Sequence, residues 1–478
     1  MILVYPNFYC ITQVDEKSKE FQNLLYNFAV WNKVYHRYET HAFKYIDGNV
    51  HLPSTVPIGQ VQKLFPFHHV EYHLNEYPTP RQISFKMKYG PRDQIQTEME
   101  EFLYNLSKKD TDQRYIGVAP GTGKTYATVN MVSQLGLVPL VIVNTSSLAD
   151  QWRREFLKHS DLKDSDIYLL SGSDSVFREM GAKKKHKIYI AIHRTLGNLI
   201  DQDPVLLTEM HQKLGIGIRI TDEFHLEFTN ICAINDVSNV KYTVYLSATP
   251  DRSMFEESQL FGRIFKNVDW YDGSHIPKKK YHNIAIYPYN SLPSQAELQK
   301  VEGKFGFNRN IWAANVMNNS EDIFRETVVD IIKLLKLTQR QKRTAFIVPT
   351  LKMVDCIKDT MKKHFPMFDT KTYTGDTPDE DRAAALQADV IVTTEKIFAT
   401  GMDVKNLEIV VNFTPIGSAI QIEQTVGRLR NLTVYNRVSV FVDATDYGYA
   451  TCVRHLNQVR LPYYKRVAQK IIKVDRPV

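Results

Sequence analysis

Cysteine is scarce in this chain: 4 residues in 478, at Cys10, Cys232, Cys356 and Cys452, with no CxxC pair. That spacing argues against a zinc ribbon and against a disulfide scaffold, and it suits a reducing cytoplasm. Long apolar runs are missing too, and none could span a bilayer. No basic segment precedes the first apolar residues, so a secretory leader is not expected. Internal repeats and low-complexity tracts are absent, which removes solenoids and disordered tethers. Nor does one sign of charge dominate. Lys and Arg number 60 against 53 Asp and Glu, a net charge of +7. This leans toward a polyanionic partner but does not decide for one. What is present is ordinary for a globular protein: 43% hydrophobic and 24% charged residues, in a chain long enough for about three domains.

Residues 1–90 have a mixed texture. Phe21, Leu24, Leu25 and Phe28 recur at helical spacing, and Phe43 to Leu52 reads as a hairpin around Asp47-Gly48. No catalytic motif stands out there, and a small α+β accessory domain is expected. From Pro91 short apolar runs alternate with helical stretches: Ile116–Ala119, Leu140–Val143, Ile188–Ile192, Ile218–Thr221 and Val244–Ser247. After an irregular stretch the alternation resumes with Ala345–Val348, Val390–Thr393, Ile409–Asn412 and Val438–Asp443. This is the pattern of parallel sheets wrapped by helices. It predicts an α/β fold of two lobes, over 91–282 and 283–446, followed by a basic helical tail over 447–478.

Ile116–Val118 reads as a strand, followed by Ala119-Pro120-Gly121-Thr122-Gly123-Lys124-Thr125 and then a helix. A phosphate-binding loop needs this order. Gly121 and Gly123 let backbone N–H groups approach phosphate oxygens, and the helix N-terminus adds partial positive charge. Lys124 would reach the β- and γ-phosphates, and Thr125 would place its hydroxyl on Mg²⁺. Val118 stands where the general pattern has its first glycine. The complementary carboxylates follow an apolar strand in Ile218-Arg219-Ile220-Thr221-Asp222-Glu223-Phe224-His225. Asp222 would hold Mg²⁺ through water, and Glu223 would orient the attacking water.

These two motifs resemble motifs I and II of the DExH helicases of superfamily 2, and further motifs follow in that family's order. Val141 to Leu148 with Gln151-Trp152 resembles motif Ia. Ile192-His193-Arg194-Thr195-Leu196 resembles the next nucleic-acid motif, and Leu246-Ser247-Ala248-Thr249-Pro250 resembles motif III. Phe346-Ile347-Val348 and Tyr373-Thr374-Gly375 resemble motif IV and its companion. Thr393 to Asp403 resembles motif V, and Gln424 to Arg430 resembles motif VI. The resemblance covers about 91–445, and the run from Thr393 to Arg430 looks most like the phage UvsW-type branch-migration helicases.

The resemblance implies two tandem RecA-like lobes that close on ATP and Mg²⁺. Arg428, with Arg430 and Gln424, would act on the γ-phosphate, and Gly401 and Asp403 would help hold the nucleotide. Arg92 and Gln96 would serve the adenine side, although Gln94 leaves that register ambiguous. Asn431 stands where motif VI usually has its second arginine. Thr145, His193, Arg194, Thr195, Thr374 and Thr394 would grip the nucleic-acid backbone. His225, Ser247 and Thr249 would link the two sites. The partner implied is DNA, branched or forked, handled by a chain that could act as a monomer in its own or a host's cytoplasm. A DExH motor on RNA, the motor part of a restriction complex and an ATP-sensing clamp are the alternatives. His36, His41, His68, His69 and His73 gather in the first segment, where surface or structural roles outweigh a metal site. The basic runs Lys183 to Lys187 and Lys278–Lys280 could line a DNA groove or simply be solvated loops.

Overall fold

The computed structural model describes the chain apart from residues 33–35, 109–111, 119–120, 225–227, 248–254, 272, 274, 277–279, 281, 304–305, 336–341, 403, 405, 430–437 and 476–478. The described chain divides into two compact units, Met1–Ile276 and Pro277–Val478.

The first unit opens with the strands β1 (Ile2–Val4), β2 (Phe8–Ile11), β3 (Ala29–Asn32), β4 (Arg37–His41), β5 (Lys44–Ile46), β6 (Asn49–Pro53) and β7 (Val70–Tyr72). Five of them form a sheet in the order β5-β6-β2-β1-β7, while β3 and β4 pair separately. The expected hairpin is β5–β6, turned by Asp47 and Gly48 at φ 49° and 78°. Paired left-handed residues give the tight turn whose twist matches two antiparallel strands. The expected helix spans Lys19–Phe28, is capped by Ser18, and buries Phe21, Leu24 and Phe28.

This segment does not close a core of its own. Its Ile2, Leu24, Phe28, Val50 and Leu52 pack in one cluster with Phe224, Phe228, Ile231, Tyr245 and Phe261 of the following lobe. Polar ties cross the same contact. Asn7 Nδ2 donates to Thr243 Oγ1 at 3.0 Å, and Gln113 Nε2 donates to Ser54 Oγ at 2.9 Å. His51 Nδ1 lies 2.7 Å from the Asp236 carbonyl. Among the described residues no group of three or more His, Cys, Asp and Glu is placed to hold a metal ion.

The lobe that follows has seven strands: β8 (Asp112–Gly117), β9 (Val138–Val143), β10 (Ile167–Leu170), β11 (Ile188–Ile192), β12 (Ile216–Asp222), β13 (Tyr242–Ser247) and β14 (Asp269–Tyr271). They form one sheet, β10-β11-β9-β12-β13-β8-β14, with every pair parallel. All six residues of β9 are buried. Val138, Leu140 and Ile142 face one helix layer, and Val141 and Val143 face the other. A strand covered on both sides reads as an unbroken apolar run, which is why the periodicity pointed to it.

The second unit contains β15 (His282–Tyr289), a short hairpin of β16 (Glu302–Gly303) and β17 (Gly306–Phe307), then β18 (Thr344–Val348), β19 (Thr370–Tyr373), β20 (Val390–Thr394), β21 (Ile409–Asn412), β22 (Ser439–Asp446) and β23 (Ala468–Lys473). Its main sheet runs β19-β20-β18-β21-β22-β15-β23, again with every pair parallel. Counted from the first strand of each main sheet, both sheets have the same order, 3-4-2-5-6-1-7. The two lobes are RecA-like, as the sequence implied.

The closing segment is helical over Ala450–His455, Leu456–Arg460 and Leu461–Val467, and then supplies the edge strand β23. Arg460 anchors it. Fully buried, its guanidinium donates to Asp443 Oδ2 at 2.8 Å, to the Ile416 carbonyl at 3.0 Å and to Thr445 Oγ1 at 2.9 Å. Tyr464 Oη donates to the same Asp443 oxygen at 2.7 Å. Truncating one member of such a network leaves a charge buried alone. Arg460→Ala is therefore expected to cost about 3–5 kcal/mol. A urea titration monitoring the second unit should show a large fall in midpoint. A shift no bigger than that of an exposed arginine substitution would contradict this account.

Candidate functional site

In a parallel sheet the loops at the carboxyl ends of the strands share one edge, where ligands bind. The first unit places its motifs along that edge. Going along β11, β9, β12, β13 and β8, the strand ends lead into His193, Asn144-Thr145, Asp222-Glu223, Ser247 and the phosphate loop. The loop strand and the acidic strand stand two positions apart, about 10 Å at ordinary strand spacing.

The helix Lys124–Leu135 begins at Gly123, whose φ is 102°, and Gly121 has φ 79°. Both are left-handed, a conformation that glycine adopts without strain. Close approach also demands glycine at 123. A Cβ there would lie 2.1 Å from Gln96 Nε2. Gln96 is 5% exposed, and its Oε1 accepts from the Arg92 N–H at 2.6 Å. The Arg92 guanidinium lies 3.5 Å from the carbonyls of Gly121 and Thr122. The structure thus brings Arg92 and Gln96 to the phosphate loop, while the Gln94 side chain turns to Glu98. Lys124 Nζ donates to the Val118 carbonyl at 2.8 Å, which curls the amine into the loop, and Thr122 and Thr125 are half-buried beside it.

Asp222 ends β12. One carboxylate oxygen accepts from the Glu223 backbone N–H at 3.0 Å, and the other accepts from Trp152 Nε1 at 2.8 Å. Burial and then the neighbouring Glu223 carboxylate push the Asp222 pKa up to about 6, against the pull of the indole and Lys124. Glu223 has φ 48°, a strained value for a residue with a side chain, and such strain concentrates at functional sites. Two carboxylates crowded in this way favour a cation. The donor set therefore fits Mg²⁺, with Thr125 and Asp222 as the residues that would hold it, and the glycine-lined helix N-terminus fits a polyphosphate.

In sequence Trp152 stands out only as part of the motif Ia resemblance, with no link to the carboxylate. It lies on an amphipathic helix among Leu148, Ala149 and Phe156, and a tryptophan there reads as core. Its polar partner lies 70 residues away and only folding brings it near.

Of the residues expected along the nucleic-acid track, His193 is 2% exposed, and burial lowers its pKa to about 3, so the ring is neutral. Thr195 is buried and its hydroxyl accepts from the Gly172 N–H at 3.1 Å. Arg194, between them, is exposed. Thr145 is half-buried, and its hydroxyl caps the helix Ser146–His159 by accepting from Leu148 N. Lys185 donates to the carbonyls of Glu179 and Met180, His186 pairs with Glu179 and Lys187 with Asp166, so three of the five residues of that basic run have protein partners.

In the second unit Thr374 is buried and Thr394 half-buried, at the ends of β19 and β20. Glu395, which follows Thr394, is 4% exposed and pairs with Arg309 at 2.7 Å. Gln424 lies on the helix Ala419–Val426. Half-buried Arg428 follows one residue past its Gly427 cap. Gly401 closes the helix Glu395–Gly401. Ser247 is buried at the end of β13. His225, Thr249, Asp403 and Arg430 lie outside the described residues.

The family described as type III restriction enzyme, res subunit, matches residues 88–252, and the helicase conserved C-terminal domain matches 325–431. A Haloarcula marismortui protein named as a DNA 3'-5' helicase, Rad25, is 28% identical over 193 residues, 38% of this chain and 28% of its own length. The match therefore spans little more than a quarter of that relative. The transcript termination protein A18 of Yaba-like disease virus is 24% identical over 72% of this chain and 71% of its own length. In fold, the chain is similar to S. cerevisiae Dbp5 bound to RNA and ADP BeF3, with TM-score 0.56, 14% identity, and coverage of 81% of this chain and 90% of that one. It is also similar to an HsdR subunit fragment of a type I restriction enzyme from Vibrio vulnificus, with TM-score 0.52, 17% identity, and coverage of 81% and 69%. No helix among the described residues is long and apolar enough to cross a membrane. With a restriction-enzyme res-subunit domain and a helicase C-terminal domain matched in tandem, the chain is similar in both halves to helicase-type proteins of superfamily 2.

Proposed function

We propose that this chain is an ATP-driven DNA motor that remodels forked or branched DNA. The observation that carries the motor is the shared edge of the first-unit sheet, where Lys124 and the glycine loop stand two strands from Asp222 and Glu223. Mg²⁺, when bound, would neutralise phosphate charge and help polarise the bond to be broken. Lys124 holds a second positive charge beside it. Glu223 orients the attacking water and takes its proton. Arg428 places a cation against charge that develops on the transferring group. Arg194 and the N-terminus of the helix Ser146–His159 hold backbone phosphates, which suits a motor that must not read sequence.

The choice of DNA draws on the likeness to DNA helicases, and the choice of branched DNA on the run from Thr393 to Arg430. The viral termination protein supports a second reading, a motor acting where a transcript is paired or displaced. One comparison separates the two: ATPase rate with single-stranded DNA, duplex DNA, a fork, a four-way junction and RNA, all at one salt concentration, because phosphate contacts make every such affinity salt-dependent. The fork or junction is expected to stimulate at least about tenfold more than RNA, a preference of about 1.4 kcal/mol. Stronger stimulation by RNA would overturn the DNA reading. Equal stimulation by all DNA forms would remove the branched part.

A further inference from the structure

The helix Ser146–His159 has one end at the expected phosphate track and its second turn at the metal-binding carboxylate. Thr145 caps it, and Trp152 lies seven residues on, about 10 Å along the axis at ordinary helical rise. Trp152 is 2% exposed. A buried indole must find an acceptor for its N–H. This one meets Asp222 Oδ2 at 2.8 Å rather than a backbone carbonyl. Because the Glu223 backbone N–H holds Oδ1 at 3.0 Å, two fixed donors grip opposite oxygens and set the plane of the carboxylate. Around this contact the Asn144 amide, Gln151 Oε1 and both His193 ring nitrogens are buried without a hydrogen-bond partner among the described residues. Buried polar groups of this kind cost free energy in one arrangement and gain partners in another.

We propose that Trp152 is a positioning residue for Asp222, and that the helix Ser146–His159 transmits nucleic-acid binding to the ATP site through that single hydrogen bond. The inference rests on the reading of the chain as a nucleic-acid-stimulated ATPase. Binding of a backbone phosphate at the helix N-terminus shifts a rigid element that also carries the indole held to Asp222. Asp222 then turns with the indole, and the orientation that suits Mg²⁺ becomes tied to occupancy of the track. A tryptophan that merely filled space would lose some packing as phenylalanine but would leave both sites independent.

Trp152→Phe keeps an aromatic ring and removes the N–H. A hydrogen bond to a charged group is worth roughly a tenfold effect or more. The variant is therefore expected to need roughly ten times more Mg²⁺ for half-maximal ATPase. Its stimulation by the nucleic acid that best stimulates the parent should fall about as much, while the KM for ATP at saturating Mg²⁺ stays within about twofold. A spectroscopic readout tests the contact directly. The chain has 4 tryptophans, so a ¹⁵N-indole spectrum has few resonances, and the Trp152 signal is the one that Trp152→Phe removes. That signal should move in Asp222→Asn, and it should move again when an oligonucleotide is added to the parent protein without nucleotide. Unmoved signals from the other indoles show that the variant is folded. Should Trp152→Phe not fold, the Asp222→Asn shift and the oligonucleotide shift decide alone. If the parent is a stimulated ATPase and Trp152→Phe matches it in Mg²⁺ dependence and stimulation, this inference fails while the motor reading survives. If the parent has no ATPase activity with any nucleic acid, the motor reading fails first.

Discussion

Lys124→Ala is expected to bring ATP hydrolysis down to background, with nucleic-acid binding nearly unchanged. Removing one preorganised charge from a transition state costs about a hundred- to a thousandfold in rate. Lys124 also helps neutralise the bound polyphosphate, so its loss weakens the ground state too. Nothing about its position involves the track. Its amine curls into the loop to the Val118 carbonyl, and the exposed Arg194 lies on a different strand end. The fold should tolerate the change, since the loop conformation is set by left-handed Gly121 and Gly123 rather than by the lysine. Steady-state ATPase and oligonucleotide anisotropy on the same preparation check the pair of outcomes. Normal hydrolysis by this variant would remove the catalytic assignment, and loss of both activities together would mean that the loop also supports the track.

Arg428→Ala is expected to separate binding from turnover in a different way. An arginine that meets the transferring phosphoryl group chiefly in the transition state contributes about a thousandfold or more to kcat. It contributes little to the ground-state complex, so affinity for a non-hydrolysable ATP analogue should stay within a few fold. Arg428 follows the Gly427 cap of the helix Ala419–Val426, so its backbone is tied to a helix end, and its side chain is half-buried. Single-turnover hydrolysis alongside analogue binding makes the test. If affinity collapsed and the rate of the bound complex did not, Arg428 would be a nucleotide-holding residue instead.

Much of the site was legible before folding because its chemistry is local. A phosphate loop needs glycines, a lysine and a hydroxyl within a few residues between a strand and a helix, and Gly121 to Thr125 supply them in one run. The carboxylates are equally local, since a parallel strand must end where its ligand sits. The strands found from sequence were those buried on both faces, such as Val138–Val143 and Ile216–Asp222. Overlooked were Ile167–Leu170 and His282–Tyr289, although both are rich in apolar residues and the second is almost wholly buried. The others carry less apolar signal: Asp269–Tyr271 is largely exposed at the sheet edge, Thr370–Tyr373 is mostly polar, and Ala468–Lys473 sets two isoleucines between lysines inside a basic tail. Burial, too, was invisible. His193 and Thr195, expected along the nucleic-acid track, lie where a helix packs down on the sheet.

The sequence alone determined the chemistry of each strand end and the order of the motifs, because these depend on neighbours within about ten residues. Tertiary structure decided the rest. It repeated one strand order in two lobes that share no visible sequence repeat, since side chains can differ while backbone pairing stays the same. It merged the first segment into the core of the nucleotide lobe, because apolar faces far apart in the chain find each other only on collapse. And it set an indole N–H against the carboxylate of Asp222, a partnership across 70 residues that no local pattern encodes.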